Sequence, residues 1–236
     1  MRIGRRVMAV LLSLGAAATV INPAAAARPV TIMPLGASIT YGYGSSDGNG
    51  YRGVLHDRLT RDAGMTVDFV GSQRSGTMAD NDHEGHPGWR IDQIAARADE
   101  WMRTYRPQIV VMHLGTNDMI QNFGTPTAPD RLAALADRLA ATGATVYVSS
   151  LVASADPVID ARIDAFNARL PALLAGHHGV VYVDQSHALG LGDLTDDVHP
   201  GDAGYARIAG IWYAALTEAG STPVPGPASA ATGVTG

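Results

Sequence analysis

Five short apolar runs rich in β-branched residues alternate with five amphipathic stretches along this chain, and few folds accept that alternation. The runs are Val30 to Leu35, Met65 to Val70, Ile109 to Leu114, Ala144 to Leu151 and Gly179 to Val183. Ile109 to Leu114 (IVVMHL) has no polar alternation, as expected of a strand buried on both faces of a parallel sheet. Between the runs, helices are predicted over Gly50 to Ala63, Trp89 to Tyr105, Asp130 to Thr142, Val158 to Leu174 with a break near Pro171, and Gly201 to Ala219. The expected fold is α/β: a flavodoxin-like three-layer α/β/α sandwich with a five-stranded parallel sheet and right-handed crossovers. Gly71 to Gly88 is predicted to be a long polar loop, and loops of that length inside a compact domain are commonly functional.

The ends of the chain carry different signals. Arg2, Arg5 and Arg6 precede an apolar run from Val7 to Ile21, and Ala25-Ala26-Ala27 offers a small-x-small processing site. Residues 1–27 are therefore expected to be a signal peptide cleaved after Ala27, giving a secreted, extracellular protein; the run is short for a membrane span. Residues 28–220 are expected to form one domain, and residues 221–236, made of Pro, Gly, Ala, Ser and Thr with two Val, a disordered tail.

Composition removes whole chemistries. The chain has no Cys, and all 17 of its basic residues are Arg. Thiol nucleophiles, disulfides, Schiff-base lysines and phosphate-loop lysines are thereby excluded, so covalent catalysis must use Ser, Thr, Asp, Glu, His or Tyr. The net charge is −5, and becomes −8 without the three Arg of residues 1–27. An acidic surface argues against nucleic acid and anionic membranes as partners.

Three polar clusters follow strands or precede the last helix: Ser38, Gly115-Thr116-Asn117-Asp118, and Asp196 to His199. In a parallel sheet every strand ends on the same edge, so residues far apart in sequence converge there. Asp196 and His199 are three apart, close enough for a carboxylate to engage an imidazole, which would then face Ser38 as nucleophilic hydroxyl chemistry requires. An oxyanion would need donors; the Asn117 amide and the backbone N–H groups of Ser38 and one glycine, Gly71 or Gly88, offer them.

Gly36-Ala37-Ser38-Ile39-Thr40, Gly88 before a helix, Gly115-Thr116-Asn117-Asp118 and Asp196-x-x-His199-Pro200 resemble, in this order, the four blocks of the SGNH (GDSL-type) hydrolases. The likeness spans nearly all of Pro29 to Leu216. The finer text, IMPLGASITYG, YRGVLHDRL, VDFVGSQ, DNDHEGHPGW and VHPGDAGYARIA, is similar to carbohydrate esterase family 3, an acetylxylan esterase-like group. The resemblance implies Ser38 as nucleophile, His199 as general base and then acid, and Asp196 rather than Asp197 as its orienter. It implies an oxyanion hole of Ser38 N–H, Gly88 N–H and Asn117 Nδ2, with Gly88 preferred to Gly71 because it precedes a helix. It implies a secreted serine esterase removing acetyl or other short acyl groups from plant cell-wall polysaccharide such as acetylated xylan, with no cofactor. One departure stands out: many members have Asp where this chain has Ala37, and that carboxylate supports neighbouring loops.

Other readings compete. A lipase, lysophospholipase or arylesterase of the same superfamily would need a broad apolar groove, whereas Ser45 to Gly50 and Asp80 to Gly88 are short and polar. A non-catalytic carbohydrate-binding or flavin-binding module on the same fold is the third, although the loop after the first strand lacks a phosphate cradle. No metal site is expected. Gly85, Pro87 and Gly88 prevent the helix that a zinc-binding His-Glu motif at His83, Glu84 and His86 would need, so these residues are expected to order the loop. Asp47, Asn49, Asp80 and Asp82 are expected to solvate loops rather than hold calcium, Asp118 to be structural, and His113 to be a core or supporting histidine. Tyr41 and Trp89 are candidates to line a sugar site.

Overall fold

The protein is described by a computed structural model covering residues 28–219. The signal peptide expected over residues 1–27 and the tail expected over residues 221–236 lie outside the described residues.

Five parallel strands form the centre of the sheet: β1 (Val30–Gly36), β2 (Val67–Phe69), β5 (Ile109–His113), β6 (Thr145–Ser149) and β7 (Val180–Val183). Their spatial order is β2-β1-β5-β6-β7, the flavodoxin-like order. The chain builds outward from β1 to β2, then restarts on the other side of β1 with β5. That reversal opens a crevice beyond the carboxyl ends of β1 and β5.

Alternate residues of the strands feed two cores. Val110 and Met112 pack with Ile91, Ile94, Leu132, Ile163 and Phe166, which come from α3 (Ile91–Tyr105), α5 (Ala128–Ala140) and α6 (Pro157–Asn167). Ile109 and Val111 face the other way, against Leu55 and Leu59 of α2 (Tyr51–Arg61) and Ile208 and Trp212 of α8 (Asp202–Ala219). Burial on both sides explains why β5 needs a continuous apolar run. Helices therefore cover both faces, and every central strand points its carboxyl end at one rim.

Two segments differ from the sequence expectation. The stretch read as a long loop contains β3 (Gln73–Arg74) and β4 (Asp82–Gly85), an antiparallel pair. β4 pairs with the last two residues of β1, where β2 has already ended, so the sheet has seven strands rather than five. Its side chains include His83 and Glu84, both buried yet polar, and no apolar period announced a strand. The loop after β5 likewise contains a short helix, α4 (Thr116–Ile120). The break expected near Pro171 falls at residues 168–169, and Pro171 lies in the first turn of α7 (Leu170–Leu174).

Gly36 ends β1 because nothing larger fits. A Cβ there would sit 2.3 Å from the His113 carbonyl oxygen on β5 and 2.4 Å from Thr40 Oγ1. Gly36→Ala should destabilise the protein by about 1–3 kcal/mol in urea denaturation, since the two strands must part. Gly192→Ala, at a position open on all sides, should change it by less than about 0.5 kcal/mol.

Candidate active site

Ser38 stands at the first position of a single-turn helix, α1 (Ser38–Tyr41), directly beyond β1. Its carbonyl accepts from Gly42 N–H and Tyr43 N–H, both at 3.0 Å, which closes the turn behind it. Gly42 is left-handed (φ 102°), a conformation open to glycine. As the first residue of the helix, Ser38 has no intrahelical acceptor for its own N–H.

His199 arrives from the opposite end of the chain on a tight loop before α8. Thr195 N–H donates to the His199 carbonyl at 2.8 Å, so residues 196–198 form the tip. Asp196 uses both carboxylate oxygens there. Oδ1 accepts from Val198 N–H (2.9 Å) and His199 N–H (2.8 Å), fixing the turn. Oδ2 meets His199 Nδ1 at 2.7 Å. With its Nδ1 proton donated to the carboxylate, the ring turns Nε2 to Ser38 Oγ, 2.9 Å away. Burial pushes the Asp196 carboxyl up, but the hydrogen bonds from Val198 and His199 outweigh it and hold it below the ordinary carboxylate range. Asp197 contributes its carbonyl, not its carboxylate, accepting from Ala155 N–H at 2.8 Å and Ser154 Oγ at 2.9 Å.

The third side of the crevice is the segment from His86 to Arg90. Asn117, on α4, donates from Nδ2 to the Trp89 carbonyl at 3.0 Å, and Gln121 Nε2 donates to the Gly88 carbonyl at 3.0 Å. Gly88 is exposed, with φ +81° and open space around its Cα, while Gly71 is buried with its Cα against the backbone of His83. The two glycines thus serve different ends: one lets two strands approach, the other lies exposed in the turn before α3. Asp118 is fully buried, paired with Arg131 at 2.7 Å, and accepts from Ile91 N–H at 3.0 Å, which anchors the start of α3.

Behind the crevice lies a polar network centred on Arg52, a residue that sequence reasoning passed over. Its guanidinium is fully buried and donates to the carbonyls of Thr40, Tyr41, Gly48, Ser75 and Asn81 and to Ser75 Oγ, at 2.8–3.2 Å. Burial lowers its pKa to about 10, so it stays charged at neutral pH. The signal was present in the sequence: Arg52 lies on the side of α2 that also carries Tyr51, Leu55 and Leu59.

His83 joins the network. Its Nδ1 accepts from Gly85 N–H at 2.8 Å, placing the ring proton on Nε2, which meets Ser75 Oγ at 2.7 Å. Burial, with Arg52 and His86 nearby, lowers its pKa to about 3. Glu84 accepts from Ser72 N–H at 2.6 Å and meets His86 Nε2 at 2.7 Å. Asp47 caps Asn49, Asp80 accepts from Phe69 N–H and Asp82 pairs with Arg74, so these acids each order a different piece of chain. Among the described residues no three His, Asp or Glu converge as a metal site. Trp89 stacks on His86 at 4.3 Å, and Tyr41 meets His83 edge-on at 5.6 Å. The aromatic beside His199 is Tyr43, with ring centroids 5.3 Å apart. His113 is buried beneath β5's end against Ser149 Oγ (3.0 Å), and burial lowers it to about 4.

A hydroxyl hydrogen-bonded to an imidazole that is itself oriented by a carboxylate matches the geometry of acyl-transfer sites. A model of the GDSL-like Lipase/Acylhydrolase family matches residues 35–207. The chain belongs to this family, a family of carboxylic ester hydrolases. Among solved structures it is similar to a Clostridium thermocellum family 3 carbohydrate esterase, at 35% identity and a TM-score of 0.68 over 79% of this chain and 94% of that one. It is similar to an acetyl esterase variant crystallised with an acetate ion (29%, TM-score 0.68, 80% and 97% covered). A third relative is a family 3 carbohydrate esterase from Talaromyces cellulolyticus (29%, TM-score 0.67, 80% and 97% covered). A Multidomain esterase of Ruminococcus flavefaciens is 25% identical over 220 residues, 79% of this chain; the chain spans 28% of that protein's length.

Two outcomes follow for the esterase's polar core. Arg52→Met should lower unfolding free energy by about 2–4 kcal/mol in urea, because five buried or part-buried carbonyls lose the guanidinium, with only that of Tyr41 keeping a second donor in Ser75 Oγ, and Arg52→Lys should rescue only part of it. His83 and His113 are depressed in the folded state, to about 3 and about 4, so from about pH 6.5 downward the unfolded chain binds more protons than the folded one. Stability should therefore fall as pH drops from about 6.5 to 4, by up to about 1.4 kcal/mol per pH unit for each histidine. Urea midpoints at several pH values check this, and the slope should flatten in His113→Gln.

Proposed function

We propose that the protein is an exported serine esterase that removes acetyl or other short acyl groups from carbohydrate, with acetylated xylan the leading substrate class. The observation that carries the reading is the unbroken chain Ser38 Oγ to His199 Nε2 (2.9 Å) and His199 Nδ1 to Asp196 Oδ2 (2.7 Å). Likeness to family 3 carbohydrate esterases supports the substrate class, and the sequence signals in residues 1–27 support export.

In this reading Ser38 Oγ attacks the ester carbonyl carbon while His199 Nε2 takes the hydroxyl proton. The carbonyl oxygen becomes an oxyanion held by Ser38 N–H, Gly88 N–H and the second N–H of Asn117 Nδ2, the first being committed to Trp89. Asp196 keeps the imidazolium oriented and neutralises its charge. The C–O bond to the alcohol then breaks, His199 returns the proton to the departing oxygen, and an acyl-serine remains. A water, deprotonated by His199, attacks that acyl carbon; collapse frees the acid and restores Ser38. Every proton passes through one nitrogen, Nε2.

A second reading, an acylhydrolase for longer chains, draws on an apolar groove of about 700 Å³ between the 125–129 segment and α6, lined by Pro126, Pro129, Pro157, Val158 and Ala161. Rates on aryl esters of increasing acyl length separate the two, with two-carbon esters fastest under the first.

Ser38→Ala should lower turnover of an aryl acetate by at least about 10³-fold with an unchanged melting temperature. Asn117→Ala should cost about 10²–10³-fold in kcat. Near-normal turnover by Ser38→Ala would sink the proposed mechanism.

A further inference from the structure

In the proposed mechanism the two halves of the ester meet different groups: Gly88 N–H and Asn117 Nδ2 take the carbonyl oxygen, and His199, whose Nε2 meets Ser38 Oγ at 2.9 Å, returns a proton to the departing alcohol. The alcohol oxygen must come within hydrogen-bond reach of His199 Nε2, so the alcohol half of the ester lies over that side of the crevice. The aromatic ring there is Tyr43.

Tyr43 is 55% exposed, although its ring centroid is only 5.3 Å from that of His199, at an interplanar angle of 39°. Its backbone is held at both ends. Its N–H donates to the Ser38 carbonyl at 3.0 Å, and its carbonyl accepts from Tyr205 Oη at 2.5 Å. Gly44, next in sequence, packs so close to Pro200 that a Cβ would lie 2.6 Å from the Pro200 carbonyl oxygen. Asp202, in the first turn of α8, accepts from both Ser46 N–H and Ser46 Oγ at 2.8 Å. A large ring, flanked by Tyr41 at 6.2 Å and His199, is thus carried on a pinned loop at the point where the leaving group departs, and more than half of it is open to solvent. Scattered exposed aromatics need no explanation; one held rigidly against the general acid does.

We infer that Tyr43 is the platform for the alcohol half of the substrate, and that this half is a pyranose ring. This rests on the carbohydrate-ester reading above and names a subsite within it. The chemistry suits the residue. A pyranose offers one face of C–H groups and a rim of hydroxyls, and a tyrosine offers an apolar face with a hydroxyl at its tip. A ring with two side-chain torsions also loses little conformational freedom when it binds. Stacking there would hold the ester oxygen beside His199 Nε2, so the contact should lower KM and, through alignment, assist kcat.

The test compares two acetates in the same enzyme: an acetylated xylo-oligosaccharide, and ethyl acetate, whose alcohol has no ring. The readout is the ratio of kcat/KM on the sugar ester to kcat/KM on ethyl acetate, with melting temperatures as a check on folding. Tyr43→Ala should lower this ratio about tenfold, mainly through KM on the sugar ester, and Tyr43→Phe should keep it within about threefold of wild type. An unchanged ratio in Tyr43→Ala, whether both rates fall together or neither falls, overturns the inference and leaves the esterase reading standing. A wild-type enzyme that cleaves ethyl acetate but releases no acetate from the oligosaccharide overturns the carbohydrate reading itself, and the pyranose subsite with it.

Discussion

Among the described residues no carboxylate pairs with Arg52, yet the crevice depends on it. Taking a guanidinium out of water is costly unless its donors are met, and here they are met by the main chain. The carbonyls of Thr40, Tyr41 and Gly48 belong to the loop behind Ser38; those of Ser75 and Asn81 belong to the β3–β4 segment. Neither loop has a sheet neighbour to satisfy these oxygens. One planar cation replaces the missing ladder and ties both loops to α2, which is itself packed against the sheet. Lysine could not do this, since its three donors diverge from one atom.

On that platform the reacting groups are placed by local turns rather than by long-range ion pairs. Asp196 uses one oxygen on its own backbone and the other on the imidazole, so the turn that presents His199 and the bond that orients its ring come from the same carboxylate. The remaining tolerance is between the two ends of the chain, and it is taken up by contacts outside the reacting groups. Tyr205 to the Tyr43 carbonyl and Asp202 to Ser46 fasten the start of α8 to the loop after β1. The relay therefore spans a gap already closed by hydrogen bonds on either side of it.

The central strands and the reacting side chains were legible in the sequence for different reasons. A parallel strand buried twice over must be apolar throughout, and β5 announces itself. Ser38 and Asn117 are polar residues just beyond strand ends, and Asp196 and His199 sit in the turn before α8, where packing does not call for them. What stayed hidden depends on burial. β4 is a strand whose residues His83 and Glu84, buried on opposite faces, are polar because they hydrogen-bond to Ser75 and Ser72. Arg52 is in register with Leu55 and Leu59, which marks it as inward-facing but not what it would meet there, and Tyr43 looks like any loop aromatic until His199 is beside it. Gly71 and Gly88 both follow or precede regular elements; only the three-dimensional path shows one pressed on a strand and the other with open space around it.

Ala37 then acquires a physical reading. In the family pattern a carboxylate commonly precedes the serine, and its loss would matter if it alone held the neighbouring loops. Here the cleft bounded by Ala37, Ser38, Ile39 and residues 113–116 has room for water over only about 10 Å³. The backbone on either side is fixed by main-chain bonds: His86 N–H to the Gly36 carbonyl at 3.0 Å, and Tyr41 N–H to the Ala37 carbonyl at 2.9 Å. Asn117 is held from its own amide by the Trp89 carbonyl, and α4 by Arg131 through Asp118. Peptide hydrogen bonds thus tie the chain on either side of Ala37 with no acid at that position, and the nucleophile is spared a desolvated carboxylate beside it.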